Sequence, residues 1–375
     1  MALLATVVPA VLISANASTM DAAVPASAED SSQGAPPSAN TSQDDAAQTQ
    51  PTVRLGEATP PAARPDHADP DEQQTDHATW PEYHAKPADA VVDTIGVAMH
   101  HHYSDTAYGE HDLLAMLERL GVRHIRDAVT PQSMEFYKQF VEQVGPGAGV
   151  SYILNDGEPM SVQDQLRLIA EQAPGTASQI ESDNEPDCDG WGAGEVESYH
   201  DLARDLRAQM DSLPELHDVP LTTPSFCRNN KSSFTTYGDD GVSERFNMHP
   251  YTGGELPEKK IAELLAAARE AAPDATPVIT EGGFHGAVNK DNEHKPTSEM
   301  AQSAYLPQMF LEYAAQGIAL THAYELIDQH DDPGRTQREH NFGLFRADGS
   351  IKPSGASLAA LTSALRDEGG PAQAT

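Results

Sequence analysis

From Val91 onward, short β-rich runs alternate with amphipathic helical patterns, and this alternation restricts the chain to a parallel α/β architecture. Eight strand and helix pairs follow one another. Thr94 to His100 precedes a helix over His111 to Leu120, His124 to Asp127 precedes Met134 to Val144, and Val150 to Leu154 precedes Val162 to Ala173. Strand four, Ser178 to Ser182, leads into a long helix from Glu195 to Met210, whereas strand five, Pro220 to Phe226, has only a short, poorly defined helix after it. Strand six, Arg245 to His249, precedes helix Glu258 to Ala271; strand seven, Pro277 to Thr280, precedes Ser298 to Gln316; strand eight, Ala319 to Leu326, precedes Ser354 to Leu365. Eight units close a (β/α)8 barrel, while an open doubly wound sheet more often has about five to seven strands.

A barrel of this kind needs about 250 residues, so the 375 present leave room for one barrel and a tail. Ala2 to Ala15 is an apolar run too short to cross a membrane, followed by the small residues Ala15-Asn16-Ala17; residues 1–17 therefore read as a signal peptide, although no Lys or Arg precedes the run. Residues 18–87 are rich in Ala, Ser, Pro, Asp, Gln and Thr and hold almost no large apolar side chains. Such a segment cannot offset its ordering entropy, and it reads as a disordered linker. The barrel is expected over residues 88–368, with a flexible tail at 369–375. A leader peptide implies a secreted or cell-surface protein with no membrane attachment after cleavage.

The formal charge is −35, and only −10 of it lies in the first 90 residues, so the folded part is acidic too. A surface of that sign repels nucleic acid and acidic polysaccharides, which excludes them as partners. Two cysteines, Cys188 and Cys227, fall just after strands four and five. Adjacent loops at one barrel face bring them within bridging distance, and an exported protein would join them. The oligomeric state is left open.

In barrels the chemistry sits where strands end. Two segments put an acid there: Ile180-Glu181-Ser182-Asp183-Asn184-Glu185-Pro186 after strand four, and Val278-Ile279-Thr280-Glu281-Gly282-Gly283 at strand seven. Acids are common in such loops because they cap helices and tolerate solvent. Strands four and seven, however, face one another across the mouth. Glycosidic cleavage needs such a pair, one carboxyl to protonate the leaving oxygen and one to act on the anomeric carbon, about 5 to 5.5 Å apart in retaining enzymes.

With these motifs the chain resembles the clan A glycoside hydrolases, over about Val91 to Leu365. In that clan the acid/base follows an Asn in an Asn-Glu-Pro sequence after strand four, as in Asn184-Glu185-Pro186, and the nucleophile ends strand seven, as does Glu281. His249-Pro250-Tyr251 matches the His-x-Tyr after strand six, so the resemblance implies that Tyr251 bonds and orients Glu281. It likewise implies that Arg126 lies near the nucleophile and that Asn184 bonds a sugar hydroxyl. His249, His100 and Tyr103 would line the substrate pocket, and Tyr324 would offer a stacking platform where many relatives carry a Trp. The implied reaction is double displacement on an O-glycoside, expected to be β-linked in an oligo- or polysaccharide, with no cofactor and no metal. Glu185 is expected to have its pKa raised by the neighbouring carboxylate and by partial burial.

Several features have a second reading. His100-His101-His102, with Asp105 nearby, could hold a metal for a metal-dependent hydrolase or simply donate hydrogen bonds. Trp191 and Phe284 follow the two acidic motifs and suit either sugar stacking or packing. Asp183, Asp187 and Asp189 read as solvent-facing, and Asp328, His330, Asp331 and Asp332 as a solvated loop. A catalytically silent carbohydrate-binding barrel is the alternative function, disfavoured by the presence of both glutamates.

Overall fold

The computed structural model describes residues 87–154, 160–290 and 294–366. The signal peptide, almost all of the linker and the C-terminal tail read from the sequence lie outside the described residues. Eight parallel strands close a barrel in sequential order, β1 next to β2 and so on round to β8 beside β1. The strands are β1 (Ile95–Ala98), β2 (His124–Ala128), β3 (Gly149–Ile153), β4 (Ala177–Glu181), β5 (Leu221–Thr222), β6 (Arg245–Met248), β7 (Thr276–Gly282) and β8 (Thr321–Tyr324). After a short α1 (Asp89–Val92), the helices α2 (Leu113–Leu120), α3 (Met134–Val144), α4 (Val162–Gln172), α5 (Glu195–Asp211), α6 (Lys231–Tyr237), α7 (Ile261–Ala271), α8 (Glu299–Ala315) and α9 (Pro353–Leu365) alternate with them.

The helices begin and end on local chemistry. The Asp112 carboxylate accepts the Ala115 N–H at the start of α2, and Gly121, at φ +67°, ends it. Leu113, Met116, Leu117 and Leu120 then fall on one buried stripe facing the strands. Ser161, Asn230 and Ser298 cap α4, α6 and α8 in the same way as Asp112, and Pro353 opens α9, where a missing N–H costs nothing.

The strands read from the sequence are found in place, with ends shifted by a few residues, except for β5. Only Leu221 and Thr222 pair with β4, and only Thr222 pairs with β6. Beyond them the Thr223 hydroxyl accepts the Asn247 N–H, a role a strand carbonyl would otherwise fill, and Pro224 has no N–H to offer. The lower barrel is filled by a polar layer. His124 and His322 flank Gly96 in register, and the His322 ring reaches across the lumen to Ser151 at 3.3 Å. A Cβ on Gly96 would collide with that ring, which is why the position has no side chain.

Candidate active site

Parallel strands deliver their C-terminal ends to one face, and the acidic segments emerge there together. A carboxylate oxygen of Glu185, one of Glu281 and a ring nitrogen of His249 all lie within 4.8 Å of one another. His249, directly after β6, stands between the two acids, with Nδ1 2.8 Å from Glu185 Oε1 and 3.7 Å from Glu281 Oε2. Its Nε2 meets Thr280 Oγ1 at 2.8 Å, and Thr280 is held in turn by Asn247. The Tyr251 hydroxyl donates to Glu281 Oε2 at 2.7 Å.

Arg126 ties the floor of the site together from β2. Its guanidinium donates to Glu281 Oε1 at 2.6 Å, to Asn184 Oδ1 at 2.9 Å, and through two nitrogens to both oxygens of Glu181 at 2.8 and 2.9 Å. Glu181 has no solvent exposure. A buried cation thus sits between one fully buried carboxylate and one that opens to the cleft, and each neutralises part of its charge.

Glu185 itself adopts φ +47°, a left-handed conformation that costs a residue other than glycine about 1–2 kcal/mol. The surroundings hold it there: its N–H donates to Ser225 Oγ at 2.9 Å, and that hydroxyl donates to Asn184 Oδ1 at 3.2 Å. Burial pushes the Glu185 carboxyl up, but the His249 hydrogen bond and charge, with Arg126 beyond, outweigh it and leave the group below the ordinary carboxylate value. The expected upward shift is therefore corrected, because His249, read from the sequence as a pocket residue, bonds the carboxylate directly as a cation. Burial holds the His249 imidazole down, yet Glu281 and Glu185 beside it prevail and keep it above the ordinary histidine value. Burial, then Glu281, pushes the Tyr251 phenol well up, so it stays a proton donor.

The structure brings Glu185, Glu281, Asn184, Arg126, His249 and Tyr251 into one site. His100 and Tyr324 stand together on its β1 and β8 side, His100 Nε2 lying 3.2 Å from the Tyr324 hydroxyl and its ring stacked on Tyr103 at 4.5 Å. Behind them lies Glu325, fully buried, accepting from Tyr108 and Gln329. Burial pushes its carboxyl well up. Of the two readings of Trp191, packing describes its surroundings. Its ring packs against Tyr199, Phe226 and Tyr237, and its indole N–H points to the Ser233 carbonyl, among the residues of α5 and α6. Phe284 is buried against Tyr305 of α8.

Among the described residues, the groups of His, Cys and acidic side chains close enough to share an ion do not include the histidine run. His101 bonds Ser133 and its N–H meets Asp127, His102 faces Asp127, and His100 faces Tyr324 and Glu325. The three rings thus have different hydrogen-bonding partners, although His101 and His102 share Asp127. Asp187 is not solvent-facing: it is wholly buried and accepts from Cys227 N, Arg228 N and Ser233 Oγ. Asp328 is likewise buried, paired with Lys352 at 2.7 Å, with burial raising its carboxyl to about 6. Cys188 and Cys227 form a disulfide, with Cα atoms 5.0 Å apart.

Sequence reading missed Glu181, Thr280, Asn247 and Ser225. Glu181 carried the one available signal, a carboxylate within a barrel strand, where an acid is rarely buried unless paired.

No family model matches the sequence, and no curated protein sequence matches it. Solved structures do resemble the chain. A family 39 glycoside hydrolase from Bacteroides cellulosilyticus WH2 superposes with a TM-score of 0.53 at 18% identity, over 74% of this chain and 65% of that one. The β-glucuronidase of Bifidobacterium dentium gives 0.56 at 16% identity, over 74% and 47%. A β-1,3-glucanosyltransferase of Rhizomucor miehei gives 0.52 at 13% identity, over 70% and 96%. The chain spans about two thirds or less of the length of most such enzymes. It has the (β/α)8-barrel fold of glycoside hydrolases.

Proposed function

We propose that the protein is a retaining glycoside hydrolase that cleaves β-linked sugars by double displacement, with Glu281 as nucleophile and Glu185 as acid/base. The observation that carries this reading is the approach of the two carboxylates to within 4.8 Å across one cleft. That spacing suits a shared anomeric carbon, while an inverting pair stands about 6.5–9.5 Å apart to admit water. A β-linked substrate is favoured by neighbours described as acting on β-glucuronides and β-galacturonides. The disulfide favours an exported protein, since such bonds persist in oxidising surroundings.

In the first step a Glu281 oxygen attacks the anomeric carbon as the bond to the leaving oxygen breaks, and Glu185 gives that oxygen its proton. Glu185 and His249 share a proton across their hydrogen bond, and the His249 charge holds the Glu185 carboxyl low at rest. His249 supplies the proton in this reading. As Glu281 becomes an ester its negative charge disappears, the main support of the His249 proton goes with it, and the proton passes over 2.8 Å to Glu185. Glu185 then takes a proton from water as the water oxygen cleaves the ester, the sugar leaves, and with the Glu281 charge restored the proton returns from Glu185 to His249. Arg126 and Tyr251 hold Glu281 in the attacking geometry throughout.

The test is a panel of chromogenic β-glycosides with wild type, Glu185→Ala and Glu281→Ala. Wild type is expected to turn over at least one glycoside. Glu281→Ala should lose essentially all activity, and Glu185→Ala about 100-fold to 10,000-fold on unactivated substrates. Zero turnover by all three across a broad panel would leave a binding barrel instead.

A further inference from the structure

The backbone of the loop that carries Glu185 is tied mainly to the loop after β5, and β5 is the most sparsely laced strand of the barrel. It pairs over two residues on one side and one on the other. Ladder hydrogen bonds therefore cannot hold the two loops in register. What joins them is a different set of contacts. Ser225 N donates to the Asp183 carbonyl at 3.1 Å, the Glu185 N–H donates to Ser225 Oγ, and Arg228 Nε donates to the Cys188 carbonyl at 2.9 Å. The buried Asp187 carboxylate accepts the Cys227 N–H at 2.7 Å and bonds Ser233. The Cys188–Cys227 disulfide closes this set covalently, and both its sulfurs lie within 4.8 Å of a Glu185 carboxylate oxygen.

We infer that the disulfide and Asp187 form a clamp that positions Glu185, so that the acid/base step responds to the redox state of Cys188 and Cys227. The inference rests on Glu185 being the acid/base. Glu185 occupies a backbone conformation that its own sequence disfavours, so it stays there only while its neighbours over-determine it. Releasing the cross-link leaves a few hydrogen bonds above a short strand to do so, and Cys188 is exposed to reductant. A dithiol such as dithiothreitol supplies two electrons and two protons and closes to a cyclic disulfide, while the protein S–S bond opens to two thiols. A shift of about 1 Å in the carboxyl is enough to cost on the order of 100-fold.

Two measurements test the clamp on the full chain, oxidised, dithiothreitol-reduced, and as Cys188→Ser/Cys227→Ser, below the melting temperature of each. Hydrogen exchange should quicken in residues 183–190 and 225–230 on reduction, with the rest of the barrel unchanged. Exchange that is unaltered, or faster everywhere alike, would overturn the inference, because an ordinary stabilising staple would do no more. In kcat/KM, which reports the first step, glycosides with poor leaving groups should slow at least about tenfold, while a dinitrophenyl glycoside, whose departure needs no acid, should barely change. Equal loss on both substrates, or none, would also overturn it. Should wild type cleave no glycoside, the function proposed above fails, and the exchange pattern still decides the clamp.

Discussion

His249 is the residue on which the protonation of the site turns. It touches both acids, and their charges hold its proton against the pull of burial. The pair formed with Glu185 therefore keeps one proton to a pH above the ordinary histidine value of about 6.5, and the basic limb of kcat/KM should lie above it. In His249→Gln only the carboxyl is left to titrate. Burial raises Glu185 once the imidazole no longer depresses it, but from a carboxylate starting value. The basic limb should then move to lower pH than in wild type, with kcat reduced and KM little changed. A profile identical to wild type would mean that His249 takes no part in the proton transfer.

At the level of elements, β2, β4 and β7 are fastened through one guanidinium. Arg126 spans from Glu181 to Glu281, and Glu181→Gln would leave the buried cation with one carboxylate fewer. Breaking a buried pair in this way costs about 3–5 kcal/mol, so urea unfolding should show a loss of that order, with Glu281 turnover reduced as Arg126 shifts. A loss under about 1 kcal/mol would show that the triad does not fasten the strands. This part of the site was hard to see in the sequence. Asn184-Glu185-Pro186 and Glu281 are contiguous with strand ends, where position alone suggests chemistry. Glu181 acquires its role only when β2 is brought beside it by closure of the barrel. The alternation of strand and helix was legible because burial on one stripe dictates it, and β5 was overextended because Pro220 to Phe226 is apolar enough to read as a strand. Its hydroxyls and proline, not its hydropathy, end the ladder. Trp191 illustrates the same limit: aromatic character marks a packing residue and a sugar platform equally.

For the molecule as a whole, the polar layer in the barrel floor links stability to pH. Burial holds His124 down to about 4 and His322 well below the ordinary value. Both groups have depressed folded-state pKa values, so the stability they contribute is present above about pH 6.5 and is lost as the pH falls toward about 4. Between pH 6.5 and 5 the contribution of His124 alone amounts to about 2 kcal/mol. Glu325 and Asp328, both raised by burial, act in the opposite direction over much of that range, so the informative quantity is a difference. The stability of wild type relative to His124→Asn should decline by about that amount between pH 7 and 5, measured by urea unfolding. A constant difference would show that His124 is as free to protonate in the folded barrel as in the unfolded chain.

The barrel delivers two carboxylates to one cleft from opposite sides of its mouth, and the separate roles proposed for them can be read from product stereochemistry. The decisive measurement is the anomeric configuration of the glycosyl azides formed from a β-glycoside by Glu185→Ala and Glu281→Ala in sodium azide, followed by proton NMR. Glu185→Ala should yield the β-azide, because azide opens the ester on Glu281, and Glu281→Ala the α-azide, because azide takes the place of the missing nucleophile. The reverse assignment, or the same anomer from both variants, would contradict the mechanism.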